Sequence, residues 1–305
     1  MAELTPMMRQ YVEMKERHPD CLLFFRLGDF YEMFFDDAKI ASKELDLVLT
    51  GRDCGQEERA PMCGVPFHSY ENYVARLIAK GYKVAICEQM EDPALAKGLV
   101  KRDIIRVVTP GTVIESSMLQ DDKNNYIASI YITEKKAGVC FADVSTGTAH
   151  ATVLTDEKLG PEIISELCRY SPSEVPFNAA ILDYKEVTAY IKQQLACSVE
   201  LLDEAAFAPD ACMEEMRAQF GDAPEKTAGL APESPAFTAL AVLLGYLKET
   251  QKKGVERLKT VHNYAEAQYM QLSPVTRANL ELTETMRGRE KKGTLLWVLD
   301  KTETS

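Results

Sequence analysis

An apolar run, Leu22-Leu23-Phe24-Phe25, reaches a corner at Gly28-Asp29 and is followed at once by a second apolar pattern. Cys21 to Leu27 reads as a buried strand, bounded by His18-Pro19 before it and Gly28 after it. Asp29 with Glu32 three residues later has the spacing of a capping box. Phe30, Phe34, Ala38, Ala41 and Leu45 recur every three or four residues, which predicts a helix from about 29 to 45. A strand running into a helix is the repeating unit of α/β layers. It also sets an aromatic and a carboxylate, Phe30 and Glu32, at a corner from which both side chains can reach outward.

The surrounding residues extend the same fold class. Thr5-Pro6 opens a first helix with an N-cap and a proline at the first helical position, and Met8, Tyr11 and Val12 form its apolar stripe. Residues 50–60 are a polar loop between two extended pieces, and Pro61-Met62-Cys63-Gly64-Val65-Pro66 holds too many helix breakers to be helical. Ser69 is placed to cap a helix whose buried face is Tyr73, Val74, Leu77 and Ile78, with Gly81 at its end. Short apolar runs at 84–87 and 104–108 read as strands. Residues 1–115 are therefore expected to form a mixed α/β domain.

Residues 116–125 are polar and aperiodic, the expected linker. Strands at 126–133, 138–143 and 148–154, joined by short turns, predict an antiparallel meander. A helix at 156–169, a strand at 179–182 and helices near 184–195 and 235–251 complete a second α/β domain over 126–252. Its middle, 203–236, is rich in Ala, Pro, Glu and Asp and reads as loosely ordered. Beyond Lys252-Lys253-Gly254, residues 253–305 read as the start of an all-α domain: Ser273-Pro274 opens a helix, and Leu295-Leu296-Trp297-Val298-Leu299 has no partner in view.

Charge narrows the function classes. The 305 residues carry a formal net charge of −12, and indiscriminate nucleic-acid binding needs an excess of Lys and Arg. Residues 1–115 hold 15 basic and 19 acidic side chains, closer to neutrality, with a basic cluster at Lys97, Lys101, Arg102 and Arg106. DNA binding is then confined to a restricted surface. No apolar stretch approaches the ~20 residues that cross a bilayer, and no secretory signal opens the chain, so a cytoplasmic protein without membrane contact is expected. The 8 cysteines form no Cys-x-x-Cys pair and read as reduced core thiols. A zinc site from Cys54, Cys63 and His68 is conceivable, although the spacing fits no standard zinc module.

Phe30 and Glu32 together have a specific use. A phenylalanine inserted into the minor groove unstacks a base step and bends the duplex. A mispaired step unstacks more easily, so such a wedge reads deformability instead of sequence. Phosphates repel the carboxylate, which is accommodated only where an exposed base donor or a protonated base nitrogen meets it. Glu32 thereby helps reject correctly paired DNA. On the residues alone the competing reading is a core phenylalanine and a capping-box glutamate.

Arg26-Leu27-Gly28-Asp29-Phe30-Tyr31-Glu32 resembles the Phe-x-Glu element of the MutS family of DNA mismatch repair proteins. Thr5-Pro6-Met7-Met8-Arg9-Gln10-Tyr11 resembles that family's N-terminal start, and Pro61-Met62-Cys63-Gly64-Val65-Pro66-Phe67-His68-Ser69 its Pro-Met-x-Gly-[Ile/Val]-Pro-[Tyr/Phe]-His segment. Val84-Ala85-Ile86-Cys87-Glu88-Gln89, Arg106-Val107-Val108-Thr109-Pro110-Gly111-Thr112 and Asp143-Val144-Ser145-Thr146-Gly147 match in order and spacing. The resemblance covers essentially the whole chain and is most specific in its first 150 residues; residues 155–270 resemble the family mainly in length and element order.

The resemblance implies a mismatch-binding domain, an RNase H-like connector and the start of a helical lever and core domain. It implies a homodimer on mismatched duplex DNA, a MutL-type partner on the connector and a bacterial, nucleoid-associated location. Phe30 would be the wedge, Glu32 the base contact, and the Met62 loop would lie along the minor groove. Arg52, Arg59, His68 and Arg76 are candidate phosphate partners by charge and nearness to these loops; each is otherwise a solvated surface group. Family members also carry a clamp and an ATPase domain, so ATP and Mg are expected for the full-length protein. These residues contain no Gly-x-x-x-x-Gly-Lys-[Ser/Thr] loop, and no cofactor or catalytic role is expected within them.

Two other functions are weighed against this one. Asp143 ends a strand where an RNase H-like nuclease would place a metal-binding carboxylate, but metal-assisted hydrolysis needs several converging carboxylates, and strands 126–133 and 148–154 offer none. Asp143 then begins the following turn by accepting bonds near Thr146. A MutS relative that binds DNA junctions without mismatch preference would lack the Phe-x-Glu pair.

Overall fold

The structure, a computed structural model, describes residues 4–92, 96, 98–113, 124–155, 158–195, 197–251, 255–264, 272, 274–288 and 290–300. Most of the expected linker and Lys252-Lys253-Gly254 lie outside the described residues. The chain divides into two compact units, one of Met1–Met118 with Leu247–Val255, the other of Leu119–Tyr246 with Glu256–Ser305. Both are mixed α/β. Among the described residues no helix is long and apolar enough to cross a membrane.

The first unit opens with α1 (Pro6–Arg17), capped by the Thr5 hydroxyl, which accepts the Met8 N–H at 3.4 Å. β1 (Cys21–Leu27) follows and turns back at once into β2 (Phe30–Phe34). Only then does α2 (Phe35–Leu45) begin. The continuous helix expected over 29–45 is therefore corrected: its first turn is a strand, and no capping box forms. The register pairs Leu27 with Phe30 and Phe25 with Glu32. Gly28, at φ +58°, fills the first central position of a two-residue turn, where a left-handed backbone suits the strand twist. Tyr31 and Met33 are buried on one face, while Phe30 and Glu32 sit on the other with Phe34. This period of two overrides the helical spacing because β2 has partners on both sides.

β3 (Thr50–Arg52) and β4 (Ala60–Pro66) supply the second partner: β4 runs antiparallel to β2, with Phe30 opposite Pro66 and Glu32 opposite Gly64. A short turn at Phe67–Ser69 leads into α3 (Tyr70–Ile78), with Val74, Leu77 and Ile78 buried. Ser69 precedes α3 but its hydroxyl bonds the Pro66 carbonyl, so it does not cap the helix. β5 (Lys83–Gln89) is parallel to β1, and β6 (Arg102–Val108) closes a sheet of order β3-β4-β2-β1-β5-β6. α1 covers one face, where Met8 and Tyr11 meet Cys21, Leu23, Phe25, Phe34 and Cys54. α2 covers the other, where the Cys63 thiol meets the Ala38 carbonyl at 3.4 Å.

In the second unit β7 (Tyr126–Ile132), β8 (Ala137–Asp143) and β9 (Thr148–Leu154) form the expected meander. α4 (Leu159–Tyr170) leads to β10 (Glu174–Phe177), which is parallel to β7. The strand expected at 179–182 is a 3₁₀ turn, Ala179–Asp183, and the true strand lies five residues earlier. α5 (Lys185–Tyr190) runs into a π turn, and β11 (Ser198–Leu201) adds to β10. The stretch read as loosely ordered is helical in α6 (Pro209–Phe220) and α7 (Pro224–Ala228), followed by α8 (Pro235–Gln251). Each starts with a proline at or near the first helical position, where the missing N–H has no intrahelical partner to lose.

β12 (Thr260–Asn263) pairs in parallel with β9, so four residues expected in a helical domain extend the second sheet to β11-β10-β7-β8-β9-β12. Two short helices, α9 (Pro274–Asn279) and α10 (Leu295–Leu299), follow. The five α10 side chains are exposed.

Candidate nucleic-acid interface

The β1–β2 turn presents Phe30 at the end of the sheet. Phe30 is 48% exposed, high for a phenylalanine within a paired strand. The turn beneath it is fastened from several sides. The Phe67 N–H donates to the Asp29 carbonyl at 2.9 Å. Arg26 Nε donates to the Gly28 carbonyl at 2.6 Å, and its guanidinium lies over the Phe67 ring, 3.7 Å from the centroid. Arg26 also pairs with Glu88 at 3.3 Å, and Glu88 accepts the Tyr31 hydroxyl. Burial, then Glu88, pushes the Tyr31 phenol well above its ordinary value, so it stays a donor. Phe30 thus stands half-exposed beside a turn braced by Arg26 and Phe67.

Glu32 points to the same face but does not stand alone. Its carboxylate is paired with the Arg52 guanidinium, which reaches across from β3. The Glu32 side chain is 15% exposed and that of Arg52 38%. Opposite Glu32, a Cβ on Gly64 would lie 3.2 Å from the Tyr31 carbonyl, a tight approach, and 3.5 Å from Glu32 Cγ, an ordinary contact. The capping-box reading of Glu32 is set aside by this geometry.

Arg102, grouped by sequence with a basic cluster, is a buried brace. It donates to the Arg26 carbonyl at 2.8 Å and to Gln10 and the Val100 carbonyl at 3.0 Å, and it lies over Phe25. Desolvation lowers its pKa, and the nearby positive charge of Arg52 adds to this. Lys97 lies outside the described residues.

Among the other candidates, Met62 on β4 is half-buried opposite Phe34 and Thr50. His68 is exposed, its ring edge-on to Phe67 at 5.9 Å. Arg59 is exposed beside Gly51 on the β3–β4 edge. Arg76 lies elsewhere: it donates to the Leu45 and Glu44 carbonyls and pairs with Asp46, closing the end of α2. The structure therefore gathers Phe30, Glu32, Arg52 and Met62 on one face and His68 at the tip beside Phe67. Sequence reasoning missed Phe67 and Arg26; the aromatic next to the Pro66 kink was the available signal.

The zinc trio is not assembled. Cys54 belongs to the α1 face and Cys63 to the α2 face, and burial pushes the Cys63 thiol up to about 11. Among the described residues no group of three or more His, Cys, Asp or Glu side chains is placed to hold a metal ion. Asp143 Oδ1 accepts from the Ser145 N–H at 2.9 Å, the Ser145 hydroxyl at 2.6 Å and the Thr146 N–H at 3.4 Å, the turn-forming role expected of it. Its strand neighbours are Tyr126 and Thr148, neither a carboxylate.

The family model described as MutS domain I matches residues 5–117, and that described as MutS domain II matches residues 125–261. This chain belongs to the MutS family. It is 50% identical over 305 residues to the DNA mismatch repair protein MutS of Ruminiclostridium cellulolyticum, a match covering all of this chain and 35% of that protein. MutS of Acetivibrio thermocellus is 50% identical over 309 residues, again with all of this chain and 35% of that protein. MutS of Clostridioides difficile is 46% identical over 316 residues, with all of this chain and 31% of that protein. The chain thus spans about a third of the length of these MutS relatives. The Phe30 hairpin and its Arg26–Phe67 brace lie within the span matched by MutS domain I.

Proposed function

We propose that this chain recognises mispaired bases and small insertion or deletion loops in duplex DNA, the first step of DNA mismatch repair. Phe30 enters the minor groove and opens a weakened step, and Glu32 accepts a hydrogen bond from the exposed base. The observation that carries this reading is a half-exposed phenylalanine at the tip of a braced hairpin, with a carboxylate two residues on along the same strand face. The insertion unstacks a step at a cost of a few kcal/mol, smallest where pairing is already lost.

We assign residues 1–115 to this recognition, 126–252 to a connector that contacts a MutL-type partner, and 253–305 to the start of the lever. In the complete protein the chain works as a homodimeric, ATP- and Mg-dependent clamp in the bacterial cytoplasm. These residues bind and orient DNA and perform no chemistry. Arg52, Arg59, Met62 and His68 contact the backbone or groove around the wedge.

Fluorescence anisotropy at low salt, with G·T, single-base-loop and fully paired duplexes, tests the reading. The expected result is tighter binding of the defective duplexes, lost in Phe30→Ala. Equal affinity for all three, unchanged by Phe30→Ala both in this chain and in a chimaera carrying the remaining two-thirds of a relative, would overturn it.

A further inference from the structure

The Glu32–Arg52 ion pair poses a conflict. The proposed reading, on which this inference rests, asks Glu32 to meet a base and Arg52 to meet a phosphate, yet in the protein alone each holds the other. We infer that Arg52 sets mismatch specificity by exchanging partners: it masks Glu32 in the free protein and moves to a phosphate only when a mispaired base takes over the carboxylate.

The residues around the pair support an exchange over a fixed bridge. Among the described residues Arg52 is the one cation bonded to Glu32, and Glu32 is its one acceptor. Arg52 is the more exposed partner, on the short edge strand β3, and its long side chain can swing outward. Arg102, whose positive charge is felt at Arg52, is fixed on neutral acceptors: two backbone carbonyls and the Gln10 amide oxygen. It repels Arg52 and does not replace it as a partner for Glu32. The residue opposite Glu32 is Gly64, which puts no side chain of its own beside the pair.

A masked pair is close to neutral, so an approaching duplex meets little repulsion from Glu32. On a fully paired duplex, Arg52 can reach a phosphate only by leaving Glu32 bare among phosphates with no base donor, so the pair stays closed. At a mispair the base donor holds Glu32, and Arg52 is released to the backbone. One extra phosphate contact then forms on defective DNA alone. Neutralising one phosphate changes the slope of log K against log salt by about −0.9.

The test is the salt slope of binding to G·T and fully paired duplexes, measured on this chain, Glu32→Gln, Arg52→Met and Phe30→Ala, with thermal melting to confirm that each variant folds. The wild type is expected to show a steeper slope on G·T DNA, by about 0.9. Glu32→Gln releases Arg52 on both duplexes, so both slopes become steep and equal. Arg52→Met makes both shallow and equal. A slope difference that survives Arg52→Met, or a wild-type difference of zero with a Phe30-dependent preference intact, overturns the exchange alone. A mismatch preference absent from wild type, or unaffected by Phe30→Ala, overturns the wedge reading and the exchange with it.

Discussion

The guanidinium of Arg26 lies 3.7 Å from the centroid of the Phe67 ring, clasping the two sides of the turn that carries Phe30. The same side chain donates to the Gly28 carbonyl, so one residue fixes both the turn and the aromatic beside it. Cation–π contacts of this kind contribute ~1 kcal/mol at partly exposed sites. Arg26→Ala is expected to weaken binding of defective duplexes about tenfold while lowering stability by ~1 kcal/mol. Arg26→Lys keeps the charge but loses the planar stack, and should fall nearer to the alanine variant than to wild type. Anisotropy titrations beside urea melts separate the two effects: equal Kd values for wild type and Arg26→Ala would show that the brace does not position the wedge.

Asp37 holds the same unit from below. It is buried, and its carboxylate accepts from the Tyr11 hydroxyl at 3.1 Å, Lys15 at 2.9 Å and the Leu23 N–H at 3.0 Å. Three elements, α1, β1 and α2, therefore meet on one side chain. Asp37→Ala removes the counter-ion of Lys15 and leaves the Leu23 N–H without that acceptor, for an expected loss of ~3 kcal/mol. Asp37→Asn keeps one acceptor oxygen and should lose less. The urea midpoint, at unchanged m-value, is the readout; midpoints within error of wild type would refute the keystone role.

Two glycines separate backbone strain from steric exclusion. Gly28 needs a left-handed backbone, but a Cβ there meets nothing within 4 Å, so Gly28→Ala is expected to cost ~1 kcal/mol. Gly138 has no such backbone, but its Cβ would lie 1.9 Å from the Pro235 carbonyl oxygen, where the start of α8 crosses β8. Backbone has to move to admit it, and Gly138→Ala should cost ~3 kcal/mol. Thermal melts that rank the two variants in the opposite order would contradict this account.

Much of this was legible because it is local. Thr5-Pro6, the apolar run of β1, the meander and the turn at Asp143 are each set by neighbours within a few residues. Phe30–Phe34 misleads because Phe-Tyr-Glu-Met-Phe carries aromatic or apolar residues on both faces instead of alternating cleanly, and Phe30 and Phe34 also fit a helix with Ala38. What decides is pairing with β4, some thirty residues away, and no periodicity records it. The four-residue strands β10, β11 and β12 are hidden for the same reason: parallel partners are distant in sequence. By composition 203–236 reads as loose, yet Pro209 and Pro224 each start a helix within it, whereas the helix from Pro235 stands where its apolar pattern puts it. At the site, Phe30 and Glu32 were visible as residue types. That Glu32 is held by Arg52, and that Arg102 is a buried brace, depends on how strands twenty or more residues apart are laid side by side.

His150 and His262 meet at the edge of the second sheet, where β9 and β12 pair in register and the two imidazoles stack 5.2 Å apart. Burial lowers the His150 pKa first, and His262 and Arg169 lower it further. Tyr126 and Tyr170 also face His150, and the carboxylate in this neighbourhood, Glu166, is bonded to Tyr264 and lies beside Arg169. The folded protein therefore holds His150 neutral at a pH where the unfolded chain, with an ordinary value of 6.5, takes up a proton. The unfolded state binds more protons below that value, so stability falls as pH drops through 6.5 and levels off once the folded state also protonates. The urea midpoint should be lower at pH 5 than at pH 7.5, and His150→Phe, which keeps the stack without the titrating nitrogen, should reduce that difference. The variant is informative because carboxylates elsewhere also contribute to acid sensitivity: a pH difference identical in wild type and His150→Phe would remove His150 from the account.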